Sequence, residues 1–141
     1  MYKVVLDTNV LISGLISPKG SPAKIIDLWL KKKFILITSK KILKEAERVL
    51  LYPRIAQKYG LGKKKIEEYV RGFFVFSEVV LPVKKIFAVE KDPDDNKFIE
   101  AALNSNARFI VSGDKHLLDL KTYKGIEILT PIEFCSQIKE K

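Results

Sequence analysis

Short apolar runs alternate with amphipathic helical stretches along this chain, and that alternation restricts its fold more than any other feature. Tyr2 to Asp7, Phe34 to Ile37, Val79 to Leu81, Arg108 to Val111 and Ile126 to Leu129 are brief and rich in β-branched and aromatic residues. Phe34-Ile35-Leu36-Ile37 carries no polar alternation, which predicts a strand buried on both faces. Between these runs the spacing predicts helices. One spans Val10 to Ile16. A second opens at Pro22 behind a Ser21 cap and runs to about Lys33, burying Ile25, Ile26, Leu28, Trp29 and Leu30. A third spans Ser39 to Tyr52, with Ser39 as N-cap and Pro53 as terminator. Others cover Lys63 to Phe76, Pro93 to about Asn104 behind an Asp92 cap, and the stretch to Lys139 opened by the capping-box spacing Thr130-Pro131-Ile132-Glu133. The pattern predicts an α/β fold of three layers, a mostly parallel four- to five-stranded sheet flanked by helices. With 141 residues and no internal repeat, linker or low-complexity stretch, positions 1–141 are expected to form a single domain.

Composition removes several function classes. Cys135 is the single cysteine and His116 the single histidine, so neither an internal disulfide nor a zinc site built on these residues is available. No apolar run approaches the roughly 20 residues that span a bilayer. Asp7 and Asn9 interrupt the N-terminal apolar segment, and no small-residue cleavage site follows it. A cytoplasmic protein without membrane contact is expected. The net charge of +9, from 26 basic and 17 acidic residues, favours a polyanionic partner.

Against that basic background, four acids fall at ends of elements that a parallel sheet would gather. Asp7 closes the first apolar run and precedes Thr8 and Asn9. Ligands of open α/β sheets bind at the carboxyl ends of the strands, so Asp7 is poised there, although it could equally cap the helix near Val10. Asp95 is followed by Phe98, Ile99 and Ala102 at i+3, i+4 and i+7, which puts it on the apolar face of its helix. A favourable helix dipole accounts for Asp92 and Asp94 but not for an inward acid, and leaves those two for the substrate side or for supporting contacts. Glu45 and Glu47 flank the apolar stripe of the third helix, and periodicity does not choose between them. Asp114 follows a strand and could be only the cap of a short helix, with Ser112 placed to orient a neighbouring carboxylate. Carboxylates converging at one crevice repel each other unless a divalent cation neutralises them.

With these positions in view, the chain resembles PIN-domain proteins, and among them the bacterial and archaeal toxins of toxin–antitoxin systems related to the VapC ribonucleases. The resemblance rests on Val-Leu-Asp-Thr-Asn-Val at 5–10, on Ser39 to Leu50 with Glu45, on Asp92-Pro93-Asp94-Asp95-Asn96-Lys97-Phe98, and on Val111-Ser112-Gly113-Asp114. It implies that Asp7, Glu45, Asp95 and Asp114 are catalytic acids that bind Mg²⁺ or Mn²⁺, and it selects Glu45 over Glu47. Asn9 and Ser112 match polar positions that support the acids, where serine stands at a place often held by threonine. Thr8 and Asp92 are further supporting candidates. The resemblance implies an endoribonuclease leaving 5′-phosphate and 3′-hydroxyl ends, a homodimer, and a cognate antitoxin partner. The alternatives are a nucleic-acid-binding module without catalysis and a PIN nuclease of RNA processing or decay rather than a toxin.

Other residues attract less weight. His116 near a helix start is expected at the surface, and Cys135 is expected to pack as a small hydrophobe. Trp29 and Phe73-Phe74-Val75-Phe76 could stack bases, but at helical positions core or dimer contacts are expected. Lys31-Lys32-Lys33, Lys40-Lys41 and Lys63-Lys64-Lys65 together suggest a basic rim for RNA.

Overall fold

A computed structural model describes residues 1–81, 88–89 and 93–139. Six strands form one sheet: β1 (Lys3–Leu6), β2 (Ile35–Ser39), β3 (Glu78–Val80), β4 (Phe109–Val111), β5 (Thr122–Tyr123) and β6 (Ile126–Leu129). Their order is β3-β2-β1-β4-β6-β5. Every pairing is parallel except that of β5 with β6. The chain steps outward from β1 through β2 to β3, then returns to build β4 and β6 on the other side. The strand order therefore reverses between β1 and β4, and in sheets of this type the crevice opens at that reversal.

Eight helices accompany the strands among the described residues: α1 (Thr8–Ile16), α2 (Ser21–Leu30), α3 (Lys40–Leu50), α4 (Pro53–Lys58), α5 (Lys63–Val75), α6 (Asn96–Ser105), α7 (Lys115–Leu118) and α8 (Pro131–Lys139). Helix α6 lies against β1, β2 and β4, while α2 packs between α1 and α8. Val4, Val5, Leu6, Phe109, Ile110 and Val111 are wholly buried, as a sheet covered by helices requires. Phe34, Phe109 and Phe134 meet edge to face beneath α8, with centroids 5.3 and 5.8 Å apart. Each such buried ring contributes roughly 1.5–3 kcal/mol.

Helices α1 and α2 approach so closely that only glycine fits at position 14. A Cβ there would stand 2.5 Å from the Pro22 carbonyl oxygen and nearer still to Ile26 Cγ1. Gly14→Ala is therefore expected to cost about 1–3 kcal/mol, read as a lower midpoint in thermal or urea unfolding.

The α/β alternation and nearly all element positions agree with the sequence reading. The sheet has six strands rather than four to five, because β5 is a two-residue antiparallel edge too short to leave any alternation. Pro53 does stand just past α3, but it also opens α4 at a first-turn position that tolerates proline. Ser21 lies inside α2 and not before it; Gly20 is the cap residue, and no side chain caps this end. Helix α2 stops at Leu30, which is 63% exposed rather than buried, and Lys32 turns the chain with a positive φ of 60°. Strand β2 runs on to Ser39, whose hydroxyl accepts the Ile42 N–H and caps α3 as expected. The Thr130–Glu133 capping box forms in both directions, at 2.9 and 3.2 Å. Asp92, expected as a helix cap and a supporting residue, and Pro82, which follows the apolar run Val79 to Leu81, lie outside the described residues.

Candidate active site

The register of the central strands builds the site. Leu6 of β1 pairs with Val111 of β4, so Asp7 and Ser112 emerge side by side one step further along. The Asp7 N–H donates to the Val111 carbonyl at 2.9 Å, which fixes the backbone at this point. On the other flank Val5 pairs with Ile37, so Ser39 stands level with Asp7. Asp7 is 4% exposed and serves two purposes at once. Its Oδ1 accepts the Asn9 N–H at 3.2 Å and caps α1, while its Oδ2 accepts the Ser112 hydroxyl at 2.6 Å. Asp7 thus caps α1 and is held by Ser112 at the same time.

Ser112, fully buried, ties two acids together. Its Oγ donates to Asp7 and accepts the Asp114 N–H at 2.9 Å. Asp114 in turn accepts the His116 N–H at 2.8 Å and caps α7. Burial raises the pKa of Asp7; the Ser112 and Asn9 hydrogen bonds oppose that rise, and the negative charges of Asp114 and Glu45 add to it. Asp114 and Glu45 are thus close enough to act on Asp7.

Asp95 is 7% exposed and ends a single 3₁₀ turn, Pro93–Asp95, that leads into α6. The expected inward placement holds, although Asp95 is the cap position of the α-helix rather than its third residue. Asn96, also buried, exchanges hydrogen bonds with both backbone groups of Val89 and fastens this helix start. Glu45 points inward from α3 with 17% side-chain exposure, whereas Glu47 is exposed. Asn9 acts through its backbone; its side chain is exposed, as is Asp94. Thr8 is buried beside Asp7, and its Oγ1 has no hydrogen-bond partner.

Sequence reasoning missed Lys97. Its side chain is 7% exposed, and its Nζ lies 2.8 Å from Glu45 Oε2 and 3.0 Å from Asp94 Oδ2. The same ammonium donates to the Asp94 carbonyl at 2.9 Å. Burial works against its charge, but the hydrogen bonds to Glu45 and Asp94 prevail and lift its pKa above the usual lysine value. The available signal was Asp94 three residues before it, on a helix buried almost all round. Among the described residues, no three His, Cys, Asp or Glu side chains stand grouped as a metal-binding set. The donor types nevertheless suit a hard cation: carboxylates around the crevice, and the unpartnered Thr8 hydroxyl next to Asp7.

The fold is thus a mostly parallel α/β sheet whose strand order reverses between β1 and β4, with the buried Asp7 at the carboxyl end of β1. Residues 3–116 match the model of the PIN domain, and the chain belongs to that family, whose members are typically nucleases that use divalent metal ions. An uncharacterized protein of Methanocaldococcus jannaschii is 38% identical over 146 residues, covering 98% of this chain and 92% of its own. The fold is also similar to a chain of VapBC2 from Rickettsia felis, crystallised bound to a DNA fragment from their promoter. That likeness has a TM-score of 0.58 at 16% identity, over 91% of this chain and 98% of the other.

Proposed function

We propose that this protein is a Mg²⁺- or Mn²⁺-dependent endoribonuclease and the toxin of a toxin–antitoxin pair. The observation that carries the reading is the buried Asp7 at the β1–β4 crevice, joined through one serine hydroxyl to the segment bearing Asp114. Asp7, Asp95 and Asp114 would hold the ion, with Glu45 completing the set. The bound ion would supply an activated water and neutralise charge on the phosphodiester. Ser112 keeps one Asp7 oxygen occupied and fixes the direction in which the carboxylate presents its remaining lone pairs. Burial of Asp7 strengthens its interaction with any cation brought to it.

RNA as substrate is supported by the basic charge and by one stripe of α3. Lys41, Glu45 and Arg48 follow at i, i+4 and i+7, and Tyr52 continues the line just past the helix. Arg48 lies 3.7 Å from Glu45 and donates to the Tyr52 hydroxyl at 3.0 Å. A cation beside an exposed aromatic ring suits a single strand, which needs backbone neutralisation and a stacking platform. Replacing Lys41 and Arg48 together by alanine is expected to weaken RNA binding about fivefold or more and to flatten its salt dependence by about two ions. Fluorescence titrations at several salt concentrations would read both.

An antitoxin partner is proposed from the likeness to VapBC2, and a homodimer from the exposed Phe74, Val75 and Phe76 at the end of α5. No helix among the described residues is long and apolar enough to cross a membrane. The test is incubation of purified protein with single-stranded RNA, structured RNA and matched DNA, with Mg²⁺, Mn²⁺ or EDTA. RNA cleavage that needs the metal is expected. Equal cutting of DNA would overturn the substrate, and RNA binding without cutting under every metal would favour a binding module.

A further inference from the structure

We propose that Lys97 is the built-in cation of the metal-free site: it neutralises Glu45 when no divalent ion is bound and releases Glu45 when one arrives. This rests on the metal-dependent reading above. A lysine with 7% side-chain exposure needs compensating charge, and Lys97 has it from two elements, Glu45 on α3 and Asp94 in the turn before α6. Its ammonium stands at 2.8 Å on Glu45 Oε2, the kind of carboxylate oxygen that a hard cation would take. A metal ion taking Oε2 displaces the ammonium, and one taking the other oxygen of this carboxylate repels it, so ammonium and metal ion compete for Glu45. The exchange leaves Lys97 supplied, because the Asp94 carboxylate and carbonyl still hold it at 3.0 and 2.9 Å. Asp94, mostly exposed, gives the ammonium a resting place at the rim of the site. Lys97 is thus a positioning residue: it keeps the cluster of acids folded without metal and sets how tightly metal is bound.

Three proteins test this: wild type, Lys97→Met and Lys97→Arg, each titrated with MnCl₂ by calorimetry and melted with and without it. The methionine variant should melt lower than wild type without metal, bind Mn²⁺ about tenfold more tightly, and gain more stability from it. Lys97→Arg, which keeps the charge, should bind Mn²⁺ like wild type. A methionine variant that binds Mn²⁺ no better than wild type would overturn the proposal. Should that variant not fold, wild type labelled with ¹⁵N-lysine and ¹³C-glutamate is titrated with MgCl₂ by NMR. Faster exchange of the Lys97 ammonium protons and a shifted Glu45 carboxyl signal are expected, and bound Mg²⁺ with both signals unchanged refutes the exchange. If wild type binds neither ion, the metal-dependent reading falls, and this inference with it.

Discussion

Asp7→Asn should yield a folded protein that melts higher than wild type at neutral pH without metal, and that no longer cuts RNA. Burial, assisted by the charges of Asp114 and Glu45, holds the Asp7 carboxyl above its ordinary value of 3.8. The folded state therefore binds this proton more tightly than the unfolded chain does. Stability is lost as pH rises from the ordinary value through the folded one, and above that the full cost of the ionised group is present. Asparagine removes the charge and still caps α1 through its Oδ1, while its NH2 group donates to the Ser112 Oγ in place of the bond that the carboxylate accepts. The gain is expected to be on the order of 1 kcal/mol, roughly 3–5 °C for a domain of this size. It should shrink as the pH is lowered toward 4. Saturating Mn²⁺ should reverse the order, since only wild type has the ligand. Thermal melts across that pH range, with and without Mn²⁺, read all three effects; a variant less stable than wild type at neutral pH contradicts the account.

Ser112→Ala should cost activity more than any other substitution outside the four acids. One hydroxyl serves Asp7 Oδ2 at 2.6 Å and the Asp114 N–H at 2.9 Å in a fully buried place. Its removal strips both of their partner, at about 1–3 kcal/mol of stability. The same loss frees the Asp7 carboxylate to rotate and removes a hydrogen bond that opposes its raised pKa. Metal affinity or cleavage should fall about 10- to 100-fold, and the activity profile should move to higher pH. Ser112→Thr keeps the hydroxyl and should retain most activity. Cleavage by the alanine variant within twofold of wild type would show that the bridge has no part in the reaction.

The sheet was legible because its strands are short apolar runs bounded by breakers, and Asp7 was legible because it ends one of them. Asp95 could be read inward from the apolar residues three, four and seven positions on. Choosing Glu45 over Glu47 required comparison with a family: both flank the same stripe, and only contacts between α3 and α6 distinguish them. Lys97 escaped for a related reason. Lysines are nearly always exposed, and its burial depends on Glu45, 52 positions away. Strand β5 and helix α4 are too short to impose a period, and Leu30 shares the spacing of its buried neighbours while the helix ends beneath it.

Anomalous diffraction from crystals soaked in MnCl₂, compared between wild type and Asp7→Asn, reads the metal site itself. A manganese peak is expected in the wild-type crevice between the ends of β1 and β4, coordinated by Asp7 and Asp95 with Asp114 beside it, and absent from the variant. A peak bound elsewhere, or one at the crevice that persists in Asp7→Asn, would rule out Asp7 as the metal ligand.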